Sequence, residues 1–115
     1  MIGDEPVVSA TAYEGVAVIH VTGDLDEDTA HLLTEALVTA AANTSGRIVV
    51  DLSGTGFADS SVLHALFHGQ KLHATAGASF VIAGPLQAAV LRLFEVTGSN
   101  RAFRVADSLE TAMTC

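Results

Sequence analysis

Residues 47–63 read RIVVDLSGTGFADSSVL. The first six, RIVVDL, are a continuous run rich in β-branched residues, the pattern of a strand buried on both faces within a parallel sheet. A glycine-containing stretch, SGTGF, follows it as a loop. At Asp59-Ser60 the apolar period then lengthens to that of a helix, with Leu63, Leu66 and Phe67 as its stripe and Gln70 and Leu72 continuing it. A buried strand that ends in a short glycine-rich connection and turns into a helix is half of a βαβ unit, and the flanking sequence repeats the alternation.

On the N-terminal side, residues 7–13 (VVSATAY) and 16–21 (VAVIHV) read as short strands joined by Glu14-Gly15, two residues suited to a hairpin turn. From Asp26 the spacing of Thr29-Ala30, Leu33, Leu37 and Ala41 predicts a helix. Asp26 is its N-cap, and Glu27 and Asp28 lie in the first turn, near the positive end of the dipole. Residues 43–46 end it. On the C-terminal side, residues 78–83 (ASFVIA) form a strand and Pro85 opens a helix over 86–95 that turns Val90, Leu93 and Phe94 inward. Thr97-Gly98 caps that helix, 103–105 is a last short strand and 108–113 a last helix. The order β-β-α-β-α-β-α-β-α predicts a single α/β domain over residues 1–115, its core about 7–113. Its sheet is mixed and mostly parallel, with four to five strands, about four helices and a hairpin strand at one edge.

The composition narrows the function. The chain has 115 residues, 13 of them acidic and 5 basic, for a formal charge of −8, and half its residues are apolar. It can bury a core, and so few cations argue against a grip on nucleic-acid phosphates or on anionic lipid headgroups. The expected partner is another protein. Cys115 is the one cysteine, so neither an internal disulfide nor a thiolate zinc site is expected. The start, MIGDEPVV, has no basic segment followed by an apolar one, and no run approaches the ~20 apolar residues of a membrane span, so a cytoplasmic domain without membrane attachment is expected.

Asp59, Ser60 and Ser61 suit helix capping by residue type alone. His64 and His68, four apart, share a helix face, but no HExxH arrangement or third ligand accompanies them and no metal is expected; they read as a polar face beside a partner surface. His20 reads as a sheet-face residue. There is neither a GxSxG elbow nor a GxxxxGK[ST] loop, so no catalytic residue and no cofactor are expected.

Three segments carry a family resemblance. DLSGTGFADSS resembles the signature of the STAS domain family, specifically the bacterial anti-sigma-factor antagonists. VTGDLDEDTAHLLTEAL resembles that family's second strand and first helix, and LRLFEVTGSNRAFRV its third helix and final strand. The resemblance implies the STAS fold and a partner switch. An antagonist of this kind binds an anti-sigma factor that is also a serine kinase of the histidine-kinase-like ATPase type, which frees the sigma factor. The kinase then phosphorylates the antagonist and the complex separates, until a serine phosphatase resets it. The phosphorylated serine maps to Ser60, the aspartate before it to Asp59, and the acidic loop beside it to Asp24 and Asp26. Ser61, Val62 and His64 complete the expected partner surface, and no direct contact with nucleic acid or membrane is implied. The chain departs from the family pattern at Val62, where glycine is usual, and at Ala58, where a larger apolar residue is usual. A β-branched residue at 62 either protrudes toward the kinase or tucks into the core. Two other roles are open to a chain of this kind: a soluble STAS subunit of an ABC-type lipid transporter, or a constitutive antagonist without kinase control.

Overall fold

The computed structural model describes residues 7–43, 46–75 and 77–114. Strands β1 (Val7–Tyr13), β2 (Val16–Leu25), β3 (Arg47–Ala58), β4 (Ser79–Ala83) and β5 (Arg104–Ala106) form one sheet in sequence order. β1 is antiparallel to β2, and all later neighbours are parallel. Helices α1 (Ala30–Asn43), α2 (Ser60–Thr75), α3 (Ala88–Thr97), the single turn α4 (Ser99–Ala102) and α5 (Leu109–Thr114) connect or follow them. The expected α/β architecture with a hairpin strand at the sheet edge is present, with one more helix than expected.

The hairpin turn has the expected chemistry. Glu14 and Gly15 both adopt positive φ, +51° and +81°, the pairing that a type I′ two-residue connection requires. The larger core lies between one face of the sheet and α1, α2 and α3. Ile19, Ile48, Val50 and Ile82 meet Leu33, Leu37, Leu66 and Phe94 there. The smaller core, Val18, Val49 and Val81 against Ala112, lies on the other face, where α5 packs. α1 and α2 touch through Leu37 and Gly69, where a Cβ added at residue 69 would fall 2.6 Å from Leu37 Cδ1.

Several elements differ from the sequence reading. SGTGF is strand, so β2 and β3 run on to Leu25 and Ala58, pairing Thr22 with Gly54, Gly23 with Thr55 and Leu25 with Ala58 through two register shifts. The glycines serve close approach here: a Cβ at residue 54 would meet Thr22 Cγ2 at 2.7 Å. Thr55, fully buried between them, donates its hydroxyl to the Val21 carbonyl at 2.8 Å. α3 starts at Ala88, not 86, because Gln87 is still extended (ψ 159°), and its amide donates to the Ser53 carbonyl across the gap. In α1 it is Ala40, not Ala41, that completes the buried stripe. The expected end of α1 falls partly, and Cys115 wholly, outside the described residues.

α2 hides a residue that periodicity did not assign inward. His73 is completely buried, its ring 6.0 Å from that of Phe80, and neither nitrogen has a hydrogen-bond partner among the described residues. Burial pushes its pKa below the ordinary value, with the Leu37 backbone a smaller opposing influence. Between the lowered folded pKa and the unfolded value, the unfolded chain binds a proton that the folded chain does not. Stability is therefore full above about pH 6.5 and falls as the pH drops below it. His73→Leu removes the orphaned nitrogens. Its urea midpoint is expected to exceed that of wild type by the equivalent of about 1 kcal/mol and to lose most of the decline between about pH 7.5 and pH 5.5. An unchanged decline would contradict this.

Candidate functional site

The parallel strands all end at one edge of the sheet, the position at which open α/β sheets bring loop residues together. β2 delivers Asp24 there and the following turn delivers Asp26, while β3 delivers Phe57 and, at its junction with α2, Asp59, Ser60 and Ser61. The pairing of Leu25 with Ala58 sets the two junctions side by side, and Asp24 stands in register with Phe57. Gly56 leaves room for the Asp24 carboxylate, since a Cβ there would lie 2.9 Å from Asp24 Oδ1.

Each acidic residue has a different local task. Asp26 organises its own turn: its carboxylate accepts from the Asp28 N–H (3.0 Å) and the Thr29 hydroxyl (3.1 Å), and its carbonyl accepts the Ala30 N–H. Asp26 therefore holds the turn over residues 27–29 that precedes α1, which itself starts at Ala30 with no acidic residue in its first turn; this corrects the expected N-cap at Asp26 and the expected first-turn places of Glu27 and Asp28. Asp59 is the N-cap of α2. Its carboxylate accepts the Ser61 N–H at 2.9 Å and the Ser61 hydroxyl, and its carbonyl accepts the Val62 N–H. The Ser61 hydroxyl, aided by the backbone N–H groups of Ser61, Val62 and Glu27, holds the Asp59 carboxyl below the usual carboxylate range against a partial desolvation. The Glu27 contribution ties the β2–α1 turn to the start of α2. Asp24 is exposed.

The two serines are not equivalent. Ser61 is half-buried and its hydroxyl is committed to Asp59. Ser60, the first residue of α2, is exposed, and its hydroxyl has no hydrogen-bond partner among the described residues. His64 and His68 are exposed on the same helix. Val62 is 1% exposed and belongs to the larger core, which corrects its expected place on the partner surface: the β-branched side chain tucks inward and presents nothing to a partner. Ala58 is likewise buried, where its small side chain fits the pairing with Leu25.

Phe57 and Gln87 escaped the sequence reading. Phe57 is 46% exposed, an aromatic ring beside Asp24. Reading SGTGF as a loop concealed it; as part of β3, the same letters place an outward aromatic just before the junction with α2. Four surface clefts, with volumes of about 360–580 Å³, take no lining residue from 24–26 or 57–61. The site is a surface of mixed aromatic and acidic character carrying one free hydroxyl, suited to a protein partner. Among the described residues no three His, Cys, Asp or Glu side chains converge as metal ligands, and no helix is long and apolar enough to cross a membrane.

The family model described as "Mlab, STAS domain" matches residues 9–109. An anti-sigma factor antagonist from Mycobacterium paratuberculosis is similar in structure with a TM-score of 0.80 at 30% identity, covering 98% of this chain and 95% of that one. The anti-sigma factor antagonist SpoIIAA in its unphosphorylated form superposes with a TM-score of 0.78 at 16% identity, covering 93% of each chain. SpoIIAA, the Bacillus cell fate determinant, in its phosphorylated form gives 0.69 at 16% identity, covering 93% of this chain and 96% of that one. No curated protein sequence matches the chain.

Proposed function

Because the chain belongs to the STAS domain family and to its anti-sigma factor antagonists, we propose that it binds an anti-sigma factor that is also a serine kinase, and that phosphorylation of Ser60 ends the complex. The observation that carries this reading is the contrast between the two adjacent serines: Ser60 exposed with a free hydroxyl, Ser61 held by Asp59. The kinase is of the histidine-kinase-like ATPase type, its release of a sigma factor is the output, and a serine phosphatase restores the binding form. Asp24, Asp26 and Asp59 border the phosphorylation site, Ser61 fixes Asp59, and His64 and Phe57 extend the contact surface. The protein itself performs no catalysis in this scheme.

The physics of the modification favours the fold over the complex. A phosphate brings about −1.5 to −2 charges and three acceptor oxygens. At the first residue of α2 it lies at the positive end of the helix dipole, a favourable interaction of about 0.3–1 kcal/mol. In a packed interface the same group must be desolvated beside three existing carboxylates, which costs several kcal/mol. The interface therefore fails while the domain stays folded.

Affinity capture on the full chain from its own host tests the reading. An ATP-binding kinase together with a sigma factor is expected; recovery of an ABC ATPase in its place would establish the transporter-subunit role and overturn the switch. The position of Val62 gives a second expectation, against constitutive binding. Since its side chain lies in the core, Val62→Gly is expected to leave the phosphorylation rate of Ser60 unchanged while lowering the melting temperature through the lost packing and the glycine in a helix. A faster reaction in the glycine variant would show that the valine obstructs the kinase.

A further inference from the structure

Among the described residues the sheet face opposite α2 is covered by α5 alone, and beside α5 it carries a groove of about 580 Å³. Its walls are apolar, with Val18 from β2 and Leu109 and Met113 from α5, and the Tyr13 ring stands at its rim. Thr11, Glu110 and His20 are its polar lining, and His20 is the one held by a partner across the sheet. His20 on β2 sets Nδ1 3.1 Å from Asp51 Oδ2 on β3, and Asp51 is in turn fixed by the Ser53 N–H (3.0 Å) and the Ser53 hydroxyl (2.7 Å) on its other oxygen. A carboxylate so placed selects the tautomer with the proton on Nδ1, as the aspartate of a hydrolytic triad does for its histidine. Nε2 is then a lone-pair acceptor, and it has no partner among the described residues.

We propose that this groove binds a small uncharged ring compound carrying one hydroxyl, its rings against Val18, Leu109 and Met113 and its hydroxyl donating to His20 Nε2. The volume lies within the ordinary range for small-molecule sites, which combine apolar walls with few orienting polar groups. Charge selects among ligands. Glu110 lines the groove, Asp51 stands behind His20, and among the described residues no lysine or arginine lines it, so an anion is repelled. Burying an ammonium against apolar walls is costly. A neutral donor is what remains. This site stands independently of Ser60 and of the partner switch.

The test is titration of the full chain with 2-naphthol, 2-methylnaphthalene and 2-naphthoate, followed by amide and imidazole nitrogen resonances. Saturable shifts are expected at residues 11–13, 18–20 and 109–113, with 2-naphthol binding on the order of tenfold more tightly than its methyl isostere and 2-naphthoate weakest. His20→Phe is expected to bring the naphthol-to-methyl preference to about unity while both still bind through the apolar walls. Asp51→Asn, whose amide can donate to Nδ1, is expected to move the ring proton to Nε2 in the nitrogen spectrum of a folded protein, so that Nε2 donates to the naphthol oxygen in place of accepting from it. Absence of saturation, shifts confined to another surface, or a preference that survives His20→Phe would overturn the proposal.

Discussion

Ser60→Asp is expected to weaken binding of the anti-sigma kinase by about a hundredfold or more, with Ser60→Ala binding as wild type does. The substitution places a carboxylate at the exposed first residue of α2, next to the ionised Asp59 and across from the Asp24 strand end. In the free protein the added charge faces water and the positive end of a helix dipole, so unfolding free energy is expected to change by no more than about 0.5 kcal/mol. In the complex that charge is desolvated without a counter-ion, and truncating or adding one charge at a packed contact typically costs about 2–5 kcal/mol. Calorimetric titration of the three proteins with the captured kinase measures both arms. Equal affinity for Ser60→Asp and wild type would mean that Ser60 lies outside the interface. A parallel loss in Ser60→Ala would mean that its hydroxyl, not the absence of charge, sustains binding.

The second large effect concerns the contact that seats α2. Leu37 is fully buried, and its side chain occupies the space a Cβ would need at Gly69, with Cδ1 at 2.6 Å and Cγ at 3.1 Å from it. Leu37→Ala is expected to cost about 2–5 kcal/mol, the range for deleting a buried leucine where neighbours relax incompletely. Gly69→Val, which forces a β-branched side chain into the same space, is expected to cost about 1–3 kcal/mol by overpacking. Because each substitution acts on the volume the other vacates, the double variant is expected to be more stable than the summed effects predict, by about 0.5–3 kcal/mol. Urea unfolding of the four proteins gives the cycle. Strict additivity would mean that the helices separate rather than share that volume.

The course of the fold could be read from the apolar periods, because RIVVDL, the Leu33 and Leu37 stripe and the Glu14-Gly15 turn all obey local rules that tertiary structure did not override. The errors lie where glycine was taken for a break in structure. Gly54 and Gly56 sit inside β3, since two strands with register shifts approach more closely there than any side chain allows, a long-range requirement that no short window of sequence contains. The same misreading concealed Phe57. Pro85 was placed inside α3 by propensity, whereas Gln87 remains extended and bonds to Ser53. Whether Val62 points outward or inward depends on the seating of α2 on the sheet, which helix periodicity leaves open between neighbouring faces. His73 was unassigned because residue type places histidine on surfaces, and its burial follows from packing against Phe80.

The central claim, that Ser60 is the phosphorylated residue of a partner switch, rests on an exposed hydroxyl standing beside one already bonded to Asp59. Phosphosite mapping by mass spectrometry, after incubating the full chain with ATP and the kinase captured on it, tests that claim most directly. A single phosphate on Ser60, none on Ser61 and none in Ser60→Ala is the result expected. An unmodified chain, or a phosphate on Ser61 with Ser60 untouched, would contradict it.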